Sequence, residues 1–247
     1  MCTLIVVKPD SPNLPTYILG NRDERLDRAS SKFHYRRGRT AGFWAPTDLE
    51  KGGTWIGLND AGLFVGITNR YSPDGYPMAD GHVSRGALPA LALGERSSTE
   101  AILKVKGALK EHTYPGFHLL LVTSSSIDLL IWDGATLKDV RPERSHMVVT
   151  ERSFSGEQPP ERESVIYSQL RDTSLRPGAR QLLARHDANS IDATCVHLDG
   201  VNYGTRSATE VELGATINDT RVWETDGPPC TSEWQEVTLV TESMHDI

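Results

Sequence analysis

Nowhere in the 247 residues does an apolar run approach the length of a membrane span. No basic segment followed by an apolar stretch and a small-residue cleavage site opens the chain, so no secretory signal is expected. Cysteine is scarce. Cys2, Cys195 and Cys230 are the whole set, an odd number with no CxxC pair. That spacing supports neither a zinc ribbon nor a redox dithiol, and no HExxH run offers another route, so no metal ligand is assigned. So sparse a set suits a reducing compartment, and a cytoplasmic location is expected. Positive charge is also short: Lys and Arg total 26 against 33 Asp and Glu, a formal net charge of −7. Nucleic acid and anionic membrane reward basic surface, so neither is expected as the main partner. The local basic patch Arg36-Arg37-Gly38-Arg39 reads as a solvated loop. Glycine-rich nucleotide fingerprints (GxGxxG, or GxxxxGK before Ser or Thr) are missing, and Ser124-Ser125-Ser126 lacks the GxSxG setting of a nucleophile elbow.

What is present is ordinary for a globular protein: 38% hydrophobic and 24% charged residues, in a chain long enough for one large core. A single domain over 1–247 is expected, because strand-like segments lie on both sides of the Pro- and Gly-rich stretch 155–163. Cys2–Val7 reads as a strand of β-branched and aliphatic residues, with Thr16–Gly20 returning beside it as a hairpin. A charged corner, Asn21–Arg25, follows. Thr54–Leu58 and Leu63–Thr68 form a second hairpin, with Gly62 where the link needs a positive φ. Ser84 suits the N-cap of a helix over Arg85–Leu93, interrupted or kinked at Pro89. Ser97 or Ser98 caps Thr99–Glu111, where Ile102, Val105 and Leu109 recur at helical spacing. Phe117–Thr123 and Ile127–Trp132 read as an apolar strand pair, and Met147–Thr150 as a short strand. Helices over Glu161–Arg171 and Pro177–Arg185 precede strands at Thr194–Leu198, Ser207–Leu213, Thr220–Glu224 and Gln235–Val240. This order lacks βαβ alternation and fits antiparallel hairpins sandwiched with helices, an α+β architecture.

The chemistry centres on Cys2. It follows Met1 and is small enough for ordinary methionine trimming. Trimming leaves a thiol and a free α-amine on one residue. The amine, with a reference pKa of about 7.7–8.0, is a base at neutral pH. Nucleophile and base together make an activated nucleophile. Such a residue needs a charge that favours the thiolate and donors for the oxyanion. Arg22 and Asp23 end the strand beside Cys2. Arg22 could lower the thiol pKa, and Asp23 could hold the ammonium or the substrate; a solvated charged turn competes with that reading. Asn69 ends an apolar strand and suits an oxyanion donor or a turn. Arg206, after Gly204-Thr205, suits a carboxylate or phosphate or else an exposed strand position. Trp44, Trp55, Trp132 and Trp223 suit a pocket wall or the core. His82, His118 and His146 carry no assignment.

Several segments, in this order, resemble the NRDE family, relatives of the transport and Golgi organisation 2 protein. They are Met1-Cys2-Thr3-Leu4, Gly20-Asn21-Arg22-Asp23-Glu24, Gly52–Asn59, Gly62–Arg70 and Ser84-Arg85-Gly86. That family in turn resembles N-terminal-nucleophile hydrolases of the choloylglycine and penicillin V acylase type. The resemblance implies an αββα sandwich of two packed, mostly antiparallel sheets flanked by helices. It implies Cys2 as nucleophile and Asn69 as oxyanion donor, with Arg22 and Asp23 beside them. Asn21, Glu24, Trp55, Arg70 and Arg206 complete the residues expected to bind substrate. One departure stands out: where the acylases place a further active-site Asn, this chain has Thr150-Glu151, and a Glu cannot donate to an oxyanion. The implied activity is hydrolysis of, or acyl transfer from, an amide or thioester of a small molecule, without a cofactor. The alternative is a non-catalytic carrier of haem or acyl lipid, with Cys2 or a histidine as a haem ligand.

Overall fold

In the computed structural model, which describes residues 2–11, 13–72, 83–142, 145–156, 159–172, 179–187, 190–198 and 200–241, the chain builds two antiparallel sheets. The strands in chain order are β1 (Cys2–Val7), β2 (Thr16–Arg25), β3 (His34–Arg37), β4 (Gly42–Ala45), β5 (Ile56–Asn59) and β6 (Phe64–Asn69). Helices α1 (Ala87–Leu93) and α2 (Ser98–Glu111) follow. Then come β7 (Phe117–Val122), β8 (Ile127–Trp132), β9 (Leu137–Val140) and β10 (His146–Val149). Helices α3 (Glu161–Asp172) and α4 (Ala179–Ala184) precede β11 (His197–Leu198), β12 (Tyr203–Leu213), β13 (Arg221–Thr225) and β14 (Trp234–Val237). The first sheet has the order β10-β1-β2-β12-β13-β14, with β11 also on β12; the second runs β3 to β9 in sequence.

The pleat sorts the side chains into layers. In β1, Leu4 and Val6 pack between the sheets, while Ile5 and Val7 pack against Ile166 and Leu170 of α3 and Leu182 and Leu183 of α4. In β7, Leu120 and Val122 fill the space between the sheets, while Leu119 and Leu121 lie under Leu88 and Leu93 of α1 and Val105 of α2. Both faces of these strands are covered, which is why they read as unbroken apolar runs. The result is the expected αββα sandwich.

Some boundaries differ from the sequence reading. β2 does not stop at Gly20 but runs through Asn21–Arg25, because β12 pairs along its whole length and covers the polar residues. Arg36 and Arg37 belong to β3, which hydrogen-bonds to β4, and are not a free loop. β4 and β9 also carry no clear pattern in the sequence. Pro89 does not interrupt α1, because it falls in the first turn, where an N–H has no intrahelical acceptor. Gly86, not Ser84, caps α1, and Ser97 caps α2 by accepting from the Glu100 amide. Gly62 has φ of +78°, as its hairpin requires.

Candidate active site

β1 and β2 pair so that Cys2 stands directly opposite Arg22, as Leu4 does Gly20 and Val6 Ile18. Leu4, Val6 and Ile18 point between the sheets, so the pleat puts Cys2 and Arg22 on that same face. At this end of β1 lies a cavity of about 520 Å³, lined by Cys2, Arg22, Asp23, Glu24, Asn69 and Trp55 among others. Arg22 is 4% exposed. Its guanidinium carbon lies 4.3 Å from the Trp55 ring centroid, and Nη2 is 3.5 Å from Asp48 Oδ2. Arg28 completes the chain, 2.7 Å from Asp48 and 2.8 Å from Glu24. Burial alone would raise the Asp48 carboxyl, but the hydrogen bond and charge of Arg28 outweigh it and hold the group below the usual carboxylate range. Arg22 is therefore fixed by a stacked ring and an ionised carboxylate. Burial pushes the half-buried Cys2 thiol up, Asp23 adds to the rise, and Arg22 opposes it.

Asn21 and Asp23 project from the opposite face of β2, towards the α3 and α4 layer. Asn21 Nδ2 donates to the Leu183 and Thr194 carbonyls at 2.9 and 2.8 Å. It anchors the end of α4 to the sheet and does not line the cavity. Asp23 accepts from Thr205 Oγ1 at 2.6 Å and from Arg162 Nη1 at 3.4 Å, while its carbonyl accepts from the Tyr203 hydroxyl at 2.9 Å. Arg162 also donates to Thr3 Oγ1 at 2.9 Å and faces Glu151 at 3.7 Å. Burial raises the Asp23 carboxyl, and the nearby Arg162 charge pulls it back. The α-amine of a trimmed chain would sit at the strand's own end. Asp23 is on one side of that end and the Cys2–Arg22 pair on the other. Met1 itself lies outside the described residues.

Asn69, at the end of β6, lines the cavity, and its Nδ2 donates to the Tyr71 hydroxyl at 3.1 Å. An amide nitrogen carries two hydrogens, so one remains for a ligand. Thr150 and Glu151 do not line the cavity. Thr150 Oγ1 donates to Glu163 at 2.8 Å, the Glu151 carboxylate faces Arg162, and the Glu151 carbonyl accepts from the Tyr71 amide at 2.7 Å. The acidic residue is thus used behind the sheet, not at the cleft.

Glu24 and Trp55 line the cavity; Arg70 and Arg206 do not. Arg206 lies where the β12–β2 register shifts between Thr205 and Ser207. His118 is buried between the sheets and bonded to Thr68, and burial first, then Arg70, lowers its pKa to about 3, so it is neutral. His82 lies outside the described residues. Arg28, Asp48, Lys51 and Arg85 also line the cavity, and the sequence alone assigns them no role. Arg85 had a signal in Ser84-Arg85-Gly86. Gly86 crosses Gly53 so closely that a Cβ on Gly53 would lie 2.5 Å from the Gly86 carbonyl carbon, and the Thr54 amide donates to the Gly86 carbonyl at 2.9 Å. This crossing sets Arg85 in the wall, where Nη1 donates to the Gly116 carbonyl at 3.0 Å. Among the described residues Arg85 makes no ion pair.

A family model described as Transport and Golgi organisation 2 matches residues 1–155. A Transport and Golgi organization protein 2 homolog from Bos taurus is 32% identical over 130 residues, 48% of this chain and 43% of that protein. The match therefore spans less than half the length of that relative. Among solved structures, a mutant of the conjugated bile acid hydrolase from Clostridium perfringens has a TM-score of 0.54 at 12% identity, covering 100% of each chain. The Caenorhabditis elegans N-acylethanolamine-hydrolyzing acid amidase ortholog has a TM-score of 0.55 at 11% identity, covering 96% of this chain and 100% of the other. At such identities the likeness is one of fold: that of N-terminal-nucleophile hydrolases.

Proposed function

The chain belongs to the Transport and Golgi organisation 2 family and has an N-terminal-nucleophile hydrolase fold, and from these premises we propose that it is a cysteine-dependent amidohydrolase or acyltransferase acting on a small-molecule amide or thioester. The observation that carries this reading is the placement of Cys2 opposite Arg22 at a cavity that Asn69 also lines. After removal of Met1, the Cys2 α-amine takes the thiol proton as Sγ attacks the carbonyl carbon. Asn69 Nδ2 donates to the oxyanion. The C–N or C–S bond breaks, the amine returns the proton to the leaving group, and a thioester remains on Cys2. Water or an acceptor amine then takes the acyl group and frees the thiol. Arg22 favours the thiolate, and Asp23 holds the ammonium form.

The described wall favours a polar or acidic substrate. Arg22 and Arg28 are matched by Asp48 and Glu24, whereas Arg85 is available to a substrate anion. A hydrophobic cargo such as haem or an acyl lipid matches this charged lining less well. The test is intact-mass analysis followed by labelling with an electrophilic thioester probe and peptide mapping. Loss of Met1 and a label on Cys2, absent in Cys2→Ala, are expected. Retained Met1 with an unlabelled Cys2 would exclude the mechanism.

A further inference from the structure

The two cysteines that the cavity does not use meet two histidines on the far side of the first sheet. Cys195 and His197 lie two residues apart where the chain enters β11, and their side chains meet: Sγ of the one is 3.4 Å from Nε2 of the other. The segment is fixed: the Cys195 amide donates to the Arg185 carbonyl at 2.8 Å, the Val196 amide to Thr205 Oγ1 at 2.8 Å, and His197 pairs with Gly204. Cys230 comes from the turn between β13 and β14, where the Thr231 and Ser232 amides donate to the Pro228 carbonyl at 3.1 and 3.0 Å. His186 follows α4. Its Nδ1 lies 3.5 Å from the Ala184 carbonyl, which leaves Nε2 as the free ligand atom.

The distances have the scale of a coordination polyhedron. Cys195 Sγ is 3.6 Å from Cys230 Sγ and 3.4 Å from His197 Nε2, and His197 Nε2 is 3.2 Å from Cys230 Sγ. A tetrahedral zinc with bonds of about 2.3 Å to sulfur and about 2.05 Å to nitrogen has S–S edges of about 3.8 Å and S–N edges of about 3.6 Å. A disulfide would need the sulfurs at about 2.05 Å. The His186 ring centroid is 5.2 Å from that of His197, and ligand atoms of His186, His197 and Cys230 all lie within 4.8 Å of one another. We propose that Cys195, His197, Cys230 and His186 form a tetrahedral thiolate–imidazole site for a zinc-class divalent ion. Binding converts the two thiols to thiolates and releases their protons to solvent.

None of the four residues lines the Cys2 cavity, so the site does not depend on the proposed catalysis. Its place in the fold gives it a structural role. It ties three separate pieces together: the chain after α4, the β11 strand and the β13–β14 turn. The ion would also steady Thr205, which accepts from Val196 and donates to Asp23.

The test is anaerobic titration of the reduced, metal-free full chain with Co²⁺. Tetrahedral d–d bands with thiolate-to-cobalt charge transfer are expected, saturating at an equimolar ratio and bleached by Zn²⁺. Thermal unfolding should shift upward with Zn²⁺. Cys230→Ser should remove much of the charge-transfer intensity, and His186→Ala, an exposed change that leaves the core alone, should weaken binding at least about tenfold. Absence of tetrahedral bands in the wild-type chain would overturn the proposal. So would bands that survive Cys230→Ser but vanish in Cys2→Ala, which would place the ion in the cavity. A Cys195–Cys230 cross-linked peptide, with no metal uptake after reduction, would assign the pair to redox chemistry instead.

Discussion

Cys2 and Arg22 are cross-strand partners on the face of the first sheet that turns towards the second, and the Arg22 guanidinium carbon is held 4.3 Å from the Trp55 ring centroid. Burial and Asp23 raise the Cys2 thiol, and Arg22 opposes them. Replacing Arg22 by Met keeps most of the volume over Trp55 and removes the charge. The pH midpoint of Cys2 alkylation should then rise by about one unit, with alkylation near neutral pH slowed about tenfold. Iodoacetamide rates across a pH series measure this directly. An unchanged midpoint would mean that the guanidinium does not act on the thiol.

In the proposed mechanism Asn69 serves only the step that develops an oxyanion. Alkylation by iodoacetamide develops none, whereas acylation by a thioester does. Asn69→Ala should therefore slow thioester acylation of Cys2 by about 10²–10³-fold and leave alkylation nearly untouched. Tyr71→Phe removes the acceptor 3.1 Å from Nδ2 but keeps the amide, so its effect on acylation should be much smaller. Equal slowing of both reactions in Asn69→Ala would assign Asn69 a packing role.

Much of this arrangement was legible before the structure. The period-2 and unbroken apolar runs marked the hairpins, and the segments around Cys2, Arg22 and Asn69 marked the cleft. Three things were not. β2 ends in five polar residues, which look like a turn until β12 and α4 supply the partners of Asn21 and Asp23. The Glu151 carboxylate looked misplaced because its partner, Arg162, sits on a helix with no local sequence tie to it. The Cys195, His197 and Cys230 cluster lacks motif spacing because its residues come from the entry into β11 and from a distant turn. In each case the information lies in long-range pairing, which local periodicity does not carry.

Arg162 compensates two buried carboxylates, Asp23 at 3.4 Å and Glu151 at 3.7 Å. Arg162→Met should destabilise the fold by about 3–5 kcal/mol, since it strands buried charge. The pH dependence has a definite sign. The folded-state pKa of Asp23 is already raised by burial. A raised carboxyl contributes stability that is complete below its unfolded value of about 3.9 and is lost as pH rises through the folded value. Without Arg162 the folded value climbs further. Urea denaturation should therefore show a larger deficit for the variant at about pH 7 than at about pH 5. Adding Asp23→Asn should recover part of it. A deficit that does not vary with pH would remove Asp23 as its source.

The crossing of Gly53 and Gly86 places Arg85 in the cavity wall, and a methyl group on Gly53 would meet the Gly86 carbonyl carbon, oxygen and Cα at 2.5, 2.6 and 2.8 Å. All three are backbone atoms, so the clash cannot be relieved by rotating a side chain. Gly53→Ala must push the two segments apart and stretch the 2.9 Å hydrogen bond from the Thr54 amide to the Gly86 carbonyl. The cost should be about 1–3 kcal/mol, seen as a lower urea midpoint at constant m-value. Because Arg85 moves with Gly86, labelling of Cys2 by an acidic thioester probe should fall more than labelling by a neutral one. Arg85→Met should reproduce that selectivity without the stability loss of Gly53→Ala. If Gly53→Ala slows both probes equally and Arg85→Met slows neither, the crossing serves packing alone and Arg85 does not meet the substrate's charge.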